Sequence, residues 1–365
     1  MEWYEAGNID IVDSPALVLY PHRIKKNITN CISLVSDLSL LRPHIKTNKI
    51  AEVCQLMLDA GIRKFKCATI AEAEMLGMIN APDVLLAYQP VGPKISRFLE
   101  LISTYPSTKF SCLVDQEVTA SHLDIAAIRK NEVLNVFIDL NTGMDRTGIL
   151  PSRAFDLFCY LENLKGIKPV GLHTYDGQLH DTNPAINESK AAKGFADVLE
   201  LSEKIKATGI AGLTIAAGGS VTFPYYRLLD VECSPGTFVF WDWSYKHLLP
   251  QEPFDYAAVI ISRVISIVSD SLITIDLGHK SIASENPLPR VHFLNAPQAV
   301  PVSHSEEHLV LQVPTTSDFK PGDVLYGIPD HICPSVSMYE EAFVCTDHII
   351  TGSWQITARD KKITI

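Results

Sequence analysis

Five short stretches gather side chains that could do chemistry. The first is LRPHIKTNK (41–49), which sets Arg42, His44, Lys46 and Lys49 on and just beyond an apolar run. A lysine inside such a run is paired, reaches out to water, or loses its proton to desolvation. In the last case it is a nucleophile suited to a Schiff base; the plain alternative is a solvated lysine at a strand end. The second, DLNTGMDRTG (139–148), carries Arg146 after Gly143 and Met144 and before Gly148. A guanidinium fixed there suits an oxyanion or phenolate; the alternative is an ion pair with Asp139 or Asp145. The third, GLHTYDGQLHD (171–181), holds His173, Tyr175, Asp176, Gln178 and His180. His173, Asp176 and His180 are candidate bases, and some of this set are satisfied core groups.

The fourth is AAGGSVTF (216–223), joined by SPGTF (234–238). Gly218 and Gly219 let backbone N–H groups approach an anion, Ser220 and Thr222 add hydroxyls, and Gly236 with Thr237 could complete a phosphate site. A simple turn is the alternative. The fifth is DHICP (330–334). On a strand, His331 and Cys333 would face one side and could share a metal. Imidazole plus thiolate suits Zn2+, and two protein ligands leave positions for water and substrate. H-x-C also arises by accident, and no second pair completes a closed four-ligand site.

These residues need a frame. Apolar runs recur at 41–47, 64–69, 84–88, 110–115, 134–140, 168–175, 213–219 and 230–238, with helical periodicity between most of them. Thr69 with Glu72, and Ser152, read as helix caps; Gly61 and Gly209 read as helix ends. Runs that are apolar throughout, each followed by a helix, predict a parallel sheet covered by helices. Eight in order predict a (β/α)8 TIM-like barrel, with a doubly wound open sheet as the alternative. In a barrel, the chemical stretches fall at the C-terminal strand ends. After about 250 the chain turns to β-rich runs broken by Pro, Gly, Ser and Asp, predicting a mostly antiparallel β domain. The reading divides the chain into a barrel over 12–245 and a β domain over 250–365. ALVLY (16–20) joins the latter.

With 47% hydrophobic residues the chain can bury a large core, and its net charge of -11 argues against nucleic acid and anionic membranes as partners. Residues 1–15 lack the basic start and apolar core of a signal peptide. The most apolar later stretch, 256–268, is short and contains Arg263, so no membrane span is expected. Eight scattered cysteines without a CxxC pair read as reduced thiols, hence a cytoplasmic protein.

Together the stretches resemble the fold-type III pyridoxal phosphate enzymes, with an alanine racemase-like N-terminal barrel, and among them the branch of D-threonine aldolase and D-serine dehydratase. RPHIKTNK is similar to the family's RPHxKTHK, whose first lysine carries the cofactor; here that is Lys46. It departs at Asn48, where the family usually has histidine. KCATIAEAEML resembles the second strand and helix. NTGMDRTG resembles the segment whose arginine, here Arg146, lies near the cofactor's phenolic oxygen. AGGS with VECSPGTF resembles the phosphate cradle. SEEH (305–308) and DHICP resemble the β domain of this branch, in which His331 and Cys333 would bind a divalent metal. The resemblance spans residues 12–365.

It implies pyridoxal 5'-phosphate on Lys46, with Arg42 and His44 tuning the amine, and a divalent metal, Zn2+ with Mn2+ or Mg2+ as alternatives. It also implies a small D-amino acid as substrate and a homodimer. The aldolases tend to carry H-x-D and the dehydratases H-x-C, so Cys333 tilts the expectation to dehydration of D-serine, with retro-aldol cleavage of D-threonine as the alternative. A racemase would need a second base such as Tyr326 or Tyr339. A non-catalytic cofactor carrier would lack the region 250–365.

Overall fold

The computed structural model describes residues 1–210 and 212–365. Two compact units emerge. One gathers Met1–Asn30, Thr47–Val53 and Thr237–Arg359; the other gathers Cys31–Lys46, Cys54–Gly236 and Asp360–Ile365. In chain order the strands are β1 (Ala16–Leu19), β2 (Lys64–Cys67), β3 (Asp83–Leu86), β4 (Lys109–Val114), β5 (Leu134–Leu140), β6 (Ile167–Thr174), β7 (Thr214–Ala217) and β8 (Glu232–Cys233). There follow β9 (Ala258–Ser269), β10 (Leu272–Ile275), β11 (Val291–Phe293), β12 (Val300–His304), β13 (Leu309–Gln312), β14 (Val324–Pro329), β15 (Glu341–Thr346) and β16 (Ile349–Gln355).

In the second unit β2 to β8 lie side by side in sequence order, all parallel. Helices alternate with them. Ile70–Met78 starts on a capping box: Thr69 Oγ1 accepts the Glu72 N–H at 3.1 Å and Glu72 accepts the Ala68 N–H at 2.6 Å. Pro151–Glu162 starts on Pro151 with Leu150 as its cap, so Ser152 is not the cap the sequence suggested. Glu117–Lys130 is a helix between β4 and β5.

The expected first strand, 41–47, is not a strand. Pro43 has no N–H to give to a ladder, and only two isolated parallel bridges form, Leu41 with Cys233 and His44 with Lys66. The ring nevertheless closes there. Arg42 N–H bonds Cys233 O at 2.8 Å on the β8 side, and Lys66 N–H bonds Pro43 O at 2.8 Å on the β2 side. The Arg42 side chain, 2% exposed, reinforces the seam: Nε reaches Glu232 Oε2 and Nη1 reaches Asp83 Oδ1, each at 2.6 Å. Arg42 thus ties the seam of the barrel with its side chain as well as its backbone. Eightfold closure is met by seven strands and one bridged segment.

The first unit is built on a nine-stranded sheet ordered β12-β13-β10-β9-β1-β15-β16, with β14 on β9 and β11 on β14. Every pairing is antiparallel except β1 with β15. β1 is buried along its length between β9 and β15, and Ala16, Val18, Val259, Ile261 and Ile328 share one core. No helix among the described residues is long and apolar enough to cross a membrane.

Candidate active site

A cavity of about 580 Å3, within the usual range for small-ligand sites, is bordered by residues at and beyond the C-terminal ends of the barrel strands. His44, Lys46, Lys66, Arg146, His173 and Tyr175 all line it. The Tyr175 ring is its hub. Lys46 Nζ lies 5.6 Å from the ring centroid, Lys66 Nζ 5.8 Å and the Arg146 guanidinium carbon 5.1 Å, all within cation–π reach. Gly177 makes the ring's position feasible, because a Cβ there would sit 2.4 Å from Tyr175 Cε1. His44 Nδ1 accepts the Lys46 N–H at 3.3 Å. The carboxylates that could have taken Arg146 are engaged elsewhere: Asp145 with Asn141 at 2.9 Å, Asp139 with His173 at 2.8 Å.

Asp139 and His173 are register partners on β5 and β6, which sets their side chains face to face. His173 Nδ1 meets Asp139 Oδ1, and its Nε2 lies 3.3 Å from Lys66 Nζ. Gln89 Nε2 donates to the second Asp139 oxygen at 2.8 Å and to Asp115 at 3.0 Å. Burial, and then the charge of Lys66, lower the His173 pKa against the pull of Asp139. Burial works to raise Asp139, but bonds from His173, Thr147 and Gln89 outweigh it and lower its pKa. Burial, and then the charge of Lys46, push the Lys66 amine down to about 7.

Of the three candidate bases, only His173 borders the cavity. His180 is exposed on the loop after β6. Asp176 is buried and accepts the Thr222 hydroxyl at 2.8 Å; burial raises its pKa. Thr222 in turn accepts the Gly219 N–H at 3.3 Å, so its hydroxyl shapes the glycine turn rather than facing outward. Gly218 has a φ of 70° and a Cβ there would meet Tyr226 at 2.5 Å, so only glycine fits. Ser220 Oγ accepts the Gly236 N–H at 3.2 Å, tying the loops after β7 and β8 together. Thr237 Oγ1 lies instead 3.7 Å from Cys333 Sγ.

Pyridoxal phosphate fits this donor set. One cavity offers a primary amine, a guanidinium and an aromatic wall. The tied glycine turn follows β7, where barrels commonly hold phosphate.

His331 and Cys333 do not lie on a strand. His331 caps the short helix Ile332–Val336, and Cys333 sits in its first turn. The fully buried Asp242 accepts the Ile332 N–H at 3.1 Å and anchors that start. Imidazole and thiol nonetheless face each other. Burial lowers the His331 pKa, but the Cys333 hydrogen bond and charge, followed by Glu285 and Asp242, outweigh it and lift it to about 9. Glu285 Oε1 sits 2.5 Å from His331 Nδ1, and the Thr47 hydroxyl 3.2 Å from Cys333 Sγ. A carboxylate on one imidazole nitrogen is the usual support for a metal-ligating histidine. Among the described residues no three His, Cys, Asp or Glu side chains form a metal cluster. Imidazole and thiol are a donor pair that a metal such as Zn2+ accepts.

Neither spare tyrosine is placed as a base. Tyr339 donates its hydroxyl to Ser281 O at 2.6 Å, and Tyr326 packs on Tyr4 in the sheet core. Burial raises the pKa of both. Sequence reasoning missed Lys66 and Gln89. Lys64 and Lys66 stand two apart on a buried strand, a spacing that puts both cations on one face; that was the available signal for Lys66.

Known proteins bear on this geometry. The family model described as alanine racemase, N-terminal domain, matches residues 20–242, and one described as a serine dehydratase domain matches 257–345. The chain is 24% identical to the D-threonine aldolase of Arthrobacter sp over 95% of this chain and 93% of that protein. It is 23% identical to the D-threo-3-hydroxyaspartate dehydratase of Delftia sp. (strain HT23) over 71% of this chain and 69% of that one. The crystal structure of D-threonine aldolase from Filomicrobium marinum superposes with a TM-score of 0.89 at 22% identity, covering 95% of each chain. The chain belongs to the alanine racemase N-terminal domain family, that of the fold-type III pyridoxal phosphate enzymes.

Proposed function

We propose that the chain is a lyase for D-3-hydroxy amino acids, with pyridoxal phosphate carried on Lys46 and a divalent metal, Zn2+, on His331 and Cys333. The observation that carries this reading is the convergence of Lys46 and Arg146 on the Tyr175 ring in one cavity. The likeness to aldolases and dehydratases of D-hydroxy amino acids supports it. When bound, pyridoxal phosphate supplies an electron sink for a bond broken at the substrate's α-carbon. Lys46 presents the amine that anchors it. Arg146 presents a guanidinium suited to its phenolic oxygen. Tyr175 would offer an aromatic wall to its ring, and the turn that Asp176 fixes through Thr222 would hold its phosphate. Glu285 orients His331 so that Nε2 and the Cys333 sulfur offer one nitrogen and one thiolate to zinc.

Dehydration is the favoured reaction, because the pair is His with Cys. Retro-aldol cleavage is the second reading, favoured by the match to D-threonine aldolase along nearly the whole chain. Homodimer formation and a cytoplasmic location belong to the same proposal. The test offers D-serine, D-threonine and D-3-hydroxyaspartate side by side, with and without a chelator. Pyruvate from D-serine supports dehydration, and acetaldehyde with glycine from D-threonine supports aldol cleavage. Either should stop on chelation. Failure to turn over any of the three sinks the lyase reading.

A further inference from the structure

Lys66 has no part in the function proposed above, yet it stands in the same cavity. Its side chain is 2% exposed, and its hydrogen-bond partner is an imidazole nitrogen, His173 Nε2, at 3.3 Å. The proton positions along this line follow from the ends. An ionised carboxylate only accepts, so His173 Nδ1 carries the hydrogen directed at Asp139 Oδ1. Nε2 is then a lone pair, and Lys66 is the donor. Gln89 fixes the other Asp139 oxygen. Lys46 lines the same cavity, its amine 5.6 Å from the Tyr175 ring centroid against 5.8 Å for that of Lys66, so both amines stand on one ring. Besides His173 and Tyr175, the charged groups that act on Lys66 are Lys46, Asp176, Asp139 and Arg42. Burial and the charge of Lys46 bring its amine down to about 7. Methionine would fill this volume at lower cost, so the amine calls for a chemical role.

We infer that Lys66 is the proton acceptor for Lys46: its amine takes the proton that the Lys46 ammonium must lose before its nitrogen can bond a carbonyl carbon, and returns it when that nitrogen is released. One N–H bond breaks on Lys46 and one forms on Lys66; no electrons change hands and the total charge is constant. The new ammonium keeps its hydrogen bond to His173, and Asp139 balances it through the imidazole. This rests on Lys46 being the cofactor-bearing lysine.

The test uses the full chain in two measurements. Trace labelling with acetic anhydride across pH, read by peptide mass, should show Lys66 becoming reactive near pH 7, below the exposed lysines. In Lys46→Ala the Lys66 curve should move to higher pH, because a neighbouring positive charge is gone. Capture of added pyridoxal phosphate at Lys46, trapped with borohydride, should slow at neutral pH by about tenfold or more in Lys66→Met and Lys66→Arg, since neither accepts a proton. At alkaline pH, where solvent removes the proton, the variants should converge on wild type. A merely structural Lys66 would give no such convergence. Labelling of Lys66 only alongside the exposed lysines, or capture at Lys46 indifferent to Lys66→Met, overturns the inference and leaves the cofactor reading standing. No capture at Lys46 in the wild-type chain overturns both.

Discussion

At the scale of residues, Lys66 is the costly one. A fully buried lysine whose pKa falls from 10.5 to about 7 binds fewer protons folded than unfolded between those values. Stability therefore rises with pH across that window, and the penalty is complete below about 7. Lys66→Met should raise the denaturant midpoint most below pH 7, with the gain shrinking towards pH 10.5. A gain that does not change with pH would show that the amine is not the cause. Retaining so expensive a group is what a working site does. Part of the candidate site is legible: Lys46, His44, Arg146, His173 and Tyr175 come from three separate stretches of sequence, and all line one cavity. The partners of Asp176, Thr222 and Thr237, a hydroxyl, a carboxylate and the Cys333 thiol, come from distant parts of the chain, which spacing alone does not bring together. Asn48, odd in sequence, accepts the Ile50 N–H at 3.0 Å and turns the chain into the helix Ala51–Asp59.

Among the elements, the seam of the barrel is the informative one. A strand was expected at 41–47 because the run is apolar. The structure closes the ring there with two bridges and a buried arginine instead. Arg42→Met should lower the unfolding free energy in urea by about 3 kcal/mol, the lower end for breaking a buried ion pair, since Lys64 remains on Glu232. No loss would mean the backbone bridges alone hold the seam. Where a run is unbroken by Pro or Gly, sequence and structure coincide, as at Leu134–Leu140. Where Pro and Gly interrupt it they diverge: of 230–238, which holds Pro235 and Gly236, only Glu232–Cys233 is a strand. The helix Glu117–Lys130 shows no single apolar stripe in its sequence, because its apolar residues point both ways. Ala120, Leu123 and Ala127 are buried while Val118, Ile125 and Ile128 are exposed.

Across the whole molecule, the chain passes between its two units at 30/31, 46/47, 53/54, 236/237 and 359/360. Neither unit is a continuous piece. A fragment of residues 237–359 lacks β1, the strand between β9 and β15, and should stay unfolded by circular dichroism; fusing residues 1–20 to it should restore β structure. Independent folding of 237–359 alone would show that β1 is dispensable. The position of β1 also has a consequence in time. Leu19 pairs with Ala258 and Val344, so the first strand made waits for partners ~240 and ~325 residues downstream. At ordinary synthesis rates that is roughly 10–60 s. Throughout it ALVLY is an apolar segment with nothing to pair with, and the nascent chain must be kept from sticking to its neighbours on the polysome until β9 emerges.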